Sequence, residues 1–201
     1  MLSNNKKLIL VIGATDQVFD VGSTECPGPE PLNATIHSMR NEIMKTLLTV
    51  FKTNDSFTSM MARLTLGLVM FLHGAQKVLG WFGGYGFSAT MNFFTGQLRI
   101  PALLAFIAIV AEFLGSIGLI AGFLSRVSAF GIAIVMLVAA FMVHAPNGFF
   151  MNWAGNQKGE GFEYHLLAIG LALVVIISGA GKWSIDRLLT GRLEGHRVTT
   201  N

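Results

Sequence analysis

Residues 60–80 read MMARLTLGLVMFLHGAQKVLG, an apolar segment that nevertheless contains His73 and Lys77. A helix needs about 20 consecutive apolar residues to cross the hydrocarbon core of a bilayer, and this segment has that length. A charged side chain at the bilayer centre costs roughly 2.5 to 3.5 kcal/mol, so it normally has a partner inside the protein and often has a function. The segment therefore predicts a membrane helix that carries functional polar groups.

Three further apolar segments follow, approximately at residues 101–121, 127–143 and 162–179. The segment at 127–143 is slightly short, and we expect it to continue past His144 to Pro146. Short connections between helices favour antiparallel neighbours. The sequence therefore predicts an all-α fold, an antiparallel four-helix transmembrane bundle with an irregular N-terminal extension.

The composition is typical of an integral membrane protein in contact with the lipid bilayer. The 201 residues are 52% hydrophobic and 12% charged, whereas soluble domains carry about 25% charged residues. The basic residues flank the apolar segments and form no patch with interleaved aromatics, which argues against a nucleic acid partner. The single cysteine, Cys26, leaves no pair for a disulfide, a thiol couple or a cysteine-ligated cluster. Any redox chemistry therefore depends on something that the chain binds.

The positions of the basic residues predict the topology. They precede or open the first span, separate the second from the third, and follow the fourth: Lys45, Lys52, Arg63, Arg126, Lys182, Arg187, Arg192 and Arg197. Because cytoplasmic loops carry an excess of Lys and Arg, we expect both termini in the cytoplasm of a bacterial inner (plasma) membrane protein. Gly84 and Gly155 are then expected on the outer side.

The chain divides into three predicted regions. Residues 1–43 are expected to form a poorly ordered extension, 44–183 the membrane bundle and 184–201 a basic cytoplasmic tail. We hypothesise that the native start is Met44 or Met39. Residues after Met44 would then form a short amphipathic helix at the membrane surface.

The predicted helices direct polar side chains toward one half of the bundle. With a rise of 1.5 Å per residue, Lys77 lies roughly 6 Å and His73 roughly 12 Å below the outer end of the first span, and Glu112 lies about 16 Å down the second. Glu112 is too deep and too short to snorkel, so we predict that it faces His73 and Lys77 inside the bundle. A structural ion pair or hydrogen bond from Glu112 to His73 or Lys77 is an alternative of equal weight to a direct chemical role. The candidate residues are Glu112, His73 and Lys77 for catalysis and Arg63, His165, Tyr164 and His144 for substrate binding, and no metal site is predicted.

Several of these residues belong to motifs that resemble the DoxX family of small four-helix membrane proteins. The motifs are RLTLGL at 63–68, HGAQK at 73–77, AEFLG at 111–115 and EYH at 163–165, within a resemblance that covers roughly 44–189. The resemblance implies a component of a quinone-linked oxidoreductase, since relatives serve as the membrane subunit of a thiosulfate:quinone oxidoreductase and others are tied to oxidative stress. The residues that match family positions are Arg63, His73, Gly74, Lys77 and Glu112, with His165 a weaker match.

A quinone role is compatible with the residues themselves. Reduction of a quinone takes two electrons and two protons, so the site needs proton donors near the carbonyl oxygens and an apolar route for the tail. The sequence contains no complete dinucleotide motif and no cysteine cluster. Electrons would therefore come from a soluble redox partner, a substrate or another cofactor.

Three other functions stay open. Intramembrane carboxylates beside histidines also suit proton-coupled or small-solute transport. Two facing histidines, His73 with His144 or His165, would suit haem, which we rank last among the cofactors. A scaffold that recruits a soluble redox enzyme through the basic tail is the third, and whether copies of the chain form a homo-oligomer is left open.

Overall fold

The structure, a computed structural model, describes residues 32–199 and contains α-helices but no strand in that range. The prediction of an all-α fold is confirmed. Of the predicted irregular extension at 1–43, residues 1–31 lie outside the described part of the chain, whereas residues 32–43 are helical. The helices are α1 (Leu32–Phe51), α2 (Phe57–Leu79), α3 (Gly86–Asn92), α4 (Ala102–Ala121), α5 (Ser125–Ala139), α6 (Glu163–Ser178) and α7 (Ile185–Thr199).

Every contact described below lies in the compact unit that begins at Met39. Within it, α2 packs against α4, α4 against α5, α5 against α6, and α6 returns to α2. Three helical segments are long and apolar enough to cross a membrane: Phe57–Leu79, Ala102–Ala121 and Ser125–Asn147. The apolar helix α6 has 16 residues and is about 24 Å long, which is shorter than the hydrocarbon core of about 30 Å.

Local sequence signals set the limits of α2. The Ser56 hydroxyl accepts a hydrogen bond from the backbone N–H of Ser59 at 3.2 Å, which is a typical N-cap. At the other end Gly80 adopts φ +71°, a left-handed conformation that glycine takes without steric cost. The cap and the glycine therefore place His73 and Lys77 in the last two turns of the helix.

The helix that begins with α5 continues past Ala139. A π-helical turn at Ala140–His144 is followed by a 3-10 turn at Ala145–Asn147, so the prediction that this segment extends past His144 to Pro146 is confirmed. The π-turn changes the direction of side chains relative to a regular helix, and such turns are frequent at functional sites. His144 is its last residue.

A glycine brings the backbones of α2 and α4 into close contact. A Cβ atom on Gly74 would lie 2.8 Å from the Cα atom of Phe113, closer than side chains can approach a backbone without a shift. Small residues allow this approach between membrane helices. Because Phe113 follows Glu112 directly, the contact fixes the height of Glu112 beside the last turns of α2.

The end of the bundle where α2 begins and α4 ends is held by Arg63, and we call it the arginine end. Arg63 is 1% exposed, and its Nε, Nη1 and Nη2 atoms all donate to backbone carbonyls. These contacts use five donor-acceptor pairs, which matches the five N–H groups of a guanidinium. The accepting carbonyls belong to Leu119, Ile120, Ala180, Lys182 and Trp183.

Asp186 joins α7 to the same end. Its Oδ1 atom accepts from the backbone N–H of Leu124 at 2.7 Å and its Oδ2 atom from that of Ser125 at 2.9 Å. A carboxylate at these N–H groups satisfies the first turn of α5 and complements its dipole. The predicted tail at 184–201 therefore begins with a buried acidic residue packed on the bundle.

Candidate functional site

The other end of the bundle collects polar side chains from α2, α4, α6 and the extension of α5, and we call it the histidine end. Six of the seven candidate residues meet there: His73, Lys77, Glu112, His144, Tyr164 and His165. Arg63 does not belong to this group, because it precedes His73 by ten residues, or about 15 Å along α2. Its hydrogen bonds to backbone carbonyls leave it no free donor for a substrate.

Lys77 and Glu112 form an ion pair at the centre of this cluster. The ammonium of Lys77 donates to Oε1 of Glu112. The side chain of Glu112 is 1% exposed and that of Lys77 is 29% exposed. The second carboxylate oxygen, Oε2, is buried and has no hydrogen-bond partner among the described residues. A buried acceptor without a partner is costly, so this oxygen is available to a proton or to a donor on a ligand.

His73 is exposed, which corrects the expectation that it would face Glu112 inside the bundle. The reason is helical geometry, because successive residues are about 100° apart around a helix and Gly74 is the residue that contacts α4. The ring of His73 packs beside that of Tyr164, with the centroids 5.6 Å apart. His73 therefore forms the rim of the cluster and can be reached from outside the bundle.

Tyr164 lies between His73 on one side and His165 on the other. Its ring centroid lies 5.4 Å from that of His165 as well as beside His73. The Tyr164 hydroxyl donates to the sulfur of Met70 at 3.3 Å. A thioether is a weak acceptor, so this hydroxyl can exchange its partner for a stronger acceptor at little cost.

His144 and His165 are in direct contact. Their ring centroids are 4.2 Å apart with the planes tilted by 42°. His165 is 6% exposed, and its Nδ1 atom is buried without a hydrogen-bond partner among the described residues. Nδ1 of His144 lies 2.9 Å from the carbonyl oxygen of Glu160.

The loop between the α5 extension and α6 folds back on His144. The amide of Asn147 donates to the Glu160 carbonyl at 3.1 Å, and the Glu160 carboxylate accepts from the backbone N–H of Asn152 at 2.6 Å. Glu163 accepts from the backbone N–H of Met151 at 3.3 Å. These polar contacts form an ordered cover over one side of the histidine pair.

An open apolar groove of about 520 Å³ lies between α4 and α5. Small residues line much of its wall, among them Ala111, Gly115, Gly118 and Gly131, and the groove extends to Leu124 and Ile185 at the arginine end. The sequence analysis called for an apolar route for a quinone tail and did not place it in the fold. The spacing of Gly115 and Gly118 was the available signal for the groove.

The chemistry of the site follows from its side chains. Among residues 32–199, no group of three or more His, Cys, Asp or Glu side chains is placed to hold a metal ion. The cluster instead offers a buried carboxylate, an ammonium, a tyrosine hydroxyl and three imidazoles. Such groups exchange protons and donate hydrogen bonds to a carbonyl or hydroxyl ligand.

Comparison with known proteins identifies the family. The DoxX profile matches residues 58–145. The inner membrane protein YqjF of Escherichia coli (strain K12) is 28% identical over 130 residues, which are 65% of this chain and 90% of that protein.

Two uncharacterized proteins of Haemophilus influenzae also match. One is 30% identical over 129 residues, 63% of this chain and 80% of that protein. The other is 33% identical over 127 residues, 62% of this chain and 84% of that protein. No solved structure matches the chain. With its apolar helices and these matches, the chain is a membrane protein that belongs to the DoxX family.

Proposed function

We propose that this protein binds a quinone at the histidine end and exchanges protons with it, as the membrane component of a quinone-linked oxidoreductase. The observation that carries the proposal is the state of Glu112, which is buried, paired with Lys77 through one oxygen and unpartnered at the other. A purely structural ion pair in an apolar interior needs its remaining lone pairs satisfied. A carboxylate that must take up and release a proton needs a free oxygen.

The surrounding donors suit the two carbonyl oxygens of a quinone. The Lys77 ammonium has three N–H groups and gives one to Glu112, and the Tyr164 hydroxyl is held only by a sulfur. His73 lies exposed at the rim, where a headgroup that arrives from the lipid would meet it first. Hydrogen bonds from these groups would orient the ring, and Glu112 would exchange a proton with the oxygen beside it.

The groove between α4 and α5 supports the same proposal. A quinone tail is apolar and mobile, so it needs an apolar surface that opens to the membrane. The groove is lined largely by aliphatic residues and glycines, and its wall reaches the level of Glu112 at Val110 and Ala111. We assign it to the first part of the tail.

Electrons enter from a soluble redox partner in this proposal. Complete reduction of one quinone takes two electrons from that partner and two protons through the site. The Escherichia coli relative is named an inner membrane protein, and we place this chain in the same membrane. The basic residues at the arginine end favour a cytoplasmic position for that end and for both termini. The histidine end then faces the outer side.

Ligand-induced stabilisation tests the proposal. Decylubiquinone, a short-tailed quinone, is added to the purified protein in lipid nanodiscs, and the melting temperature is followed at rising quinone concentration. A ligand that binds only the folded state stabilises it by about 2.7 kcal/mol at 100 times its Kd. We expect the melting temperature of the wild type to rise clearly. Glu112→Gln should need at least about ten times more quinone for the same rise.

The matched control is Ser116→Ala. Ser116 is a buried polar residue one turn further along α4, and its hydroxyl only donates to the carbonyl of Phe113 at 2.7 Å. This variant should keep the quinone response. A wild-type protein that gains no stability from decylubiquinone or from a short-tailed menaquinone would contradict the proposal and favour proton-coupled transport.

A further inference from the structure

We propose that His144 and His165 form a proton-exchange pair that connects the Glu112 site with the aqueous phase at the histidine end. The inference rests on the proposed function, because the quinone creates the demand for protons. It assigns to these two residues a role separate from binding the quinone.

The contact between the two rings is the first observation. Imidazoles with centroids 4.2 Å apart are close enough for a small rotation to bring a nitrogen of each ring within hydrogen-bond distance. The Nδ1 atom of His165 is buried and unpartnered among the described residues, so it is a free position for a proton to occupy. Two positive charges at this separation repel each other, so the pair would hold at most one excess proton at a time and pass it from ring to ring.

The outward connection runs through His144. A carbonyl oxygen can only accept a hydrogen bond, so the contact of Nδ1 with the Glu160 carbonyl assigns the hydrogen to Nδ1 of His144. Its Nε2 atom is then the acceptor in the neutral ring. His144 is half-buried and lies beside Glu160, which is exposed. Protons from water reach the pair at this point.

The inward connection runs through Tyr164 and His73. Ring centroids are 5.4 Å apart from His165 to Tyr164 and 5.6 Å apart from Tyr164 to His73. The Tyr164 hydroxyl donates to Met70 and to neither imidazole, and one ordered water or one side-chain rotation would bridge each gap. Lys77 is the i+4 neighbour of His73 on α2, and Lys77 contacts Glu112.

The titratable groups on the elements around the pair are few. They are His73 and Lys77 on α2, Glu112 on α4, Tyr164 and Glu163 on α6 and Glu160 in the loop. Lys77 is neutralised by Glu112, while the carboxylates of Glu160 and Glu163 accept backbone hydrogen bonds within the loop. The two histidines therefore lie between the exposed loop, on the water side, and the ion pair of Lys77 with Glu112, where they can accept a proton.

A single-turnover proton-release experiment tests the proposal. Protein in nanodiscs is loaded with one equivalent of decylubiquinol, and ferricyanide, a water-soluble oxidant, is mixed in. Each quinol gives two electrons to two ferricyanide ions and releases two protons, which a pH dye in the buffer records. We expect His165→Ala and His144→Ala to release protons at least about tenfold more slowly than the wild type, in line with the size of general acid-base effects.

Two further measurements separate proton exchange from a structural role. Added imidazole should restore the rate in the alanine variants, which a packing defect would not allow. Both variants should keep the quinone-dependent rise in melting temperature, and His165→Gln, which retains a polar side chain, serves if His165→Ala does not fold.

Other results overturn the inference in distinguishable ways. If the variants bind quinone and release protons at the wild-type rate, the two histidines do not exchange protons for the site, and the quinone proposal is unaffected. Variants that lose quinone stabilisation would show that the histidines bind the ligand. A wild-type protein that does not bind decylubiquinol would overturn both proposals.

Discussion

The two ends of the bundle treat buried polar groups in opposite ways. At the arginine end, Arg63 donates to five carbonyls and both oxygens of Asp186 accept backbone N–H groups. At the histidine end, Glu112 and His165 each keep one buried atom without a partner. Among the described residues, the arginine end leaves only the neutral Ser125 hydroxyl unpaired. The comparison separates charges that hold the helices together from charges that are free to react.

Stability should depend far more on the arginine end. Arg63→Gln removes most of the hydrogen bonds to the carbonyls at the end of α4 and in residues 180–183. Since hydrogen bonds to charged groups contribute roughly 1.5 to 3 kcal/mol each, we expect a loss of at least about 3 kcal/mol in the free energy of unfolding. Chemical denaturation in mixed micelles measures it.

Glu112→Gln is the matched control at the histidine end, because it also replaces a buried charge by an amide. Hydrogen bonds between membrane helices contribute about 0.6 kcal/mol on average, and we expect a loss of that size. Equal losses at the two ends would break the comparison.

The close contact of α2 with α4 should give an effect between those of Arg63→Gln and Glu112→Gln. Gly74→Ala places a methyl group against the backbone of Phe113 and forces the helices apart. Overpacking of this kind costs about 1 to 3 kcal/mol. It should also weaken quinone stabilisation, because Lys77 and Glu112 are placed by that contact.

Gly170→Ala on α6 is the control for this substitution. A Cβ atom at Gly170 meets no atom within 4 Å, and alanine is favoured over glycine in a helix by up to about 1 kcal/mol. The change should therefore be neutral or stabilising. A destabilisation as large as that of Gly74→Ala would remove the packing explanation.

Sequence reasoning found the elements that depend on local pattern. Apolar length placed the helices, and depth along them placed Lys77 beside Glu112. The exposure of His73 was missed because residues spaced by three and four define a common face but do not show which face a neighbour covers. The contact of Gly74 with α4 determines which face of α2 is covered, and no local sequence pattern predicts this contact.

The contacts at the arginine end could not be predicted from local sequence patterns either. The sequence analysis counted Arg63 among the topology signals and the substrate-binding candidates, whereas its partners are carbonyls from two distant segments, 119–120 and 180–183. Asp186 was overlooked inside a basic tail. His144, which contacts His165, is the last residue of the π-turn that follows α5, and no local pattern in the sequence predicted that turn.

The most direct measurement is infrared difference spectroscopy of the protein in nanodiscs, recorded as bound decylubiquinone is reduced electrochemically. If Glu112 exchanges a proton with the quinone, a carboxylic acid band should change on reduction in the wild type and in Ser116→Ala. The band should be absent in Glu112→Gln. A wild-type spectrum with quinone bands and no carboxyl change, or a carboxyl change that persists in Glu112→Gln, would contradict the assignment of reactive chemistry to the histidine end.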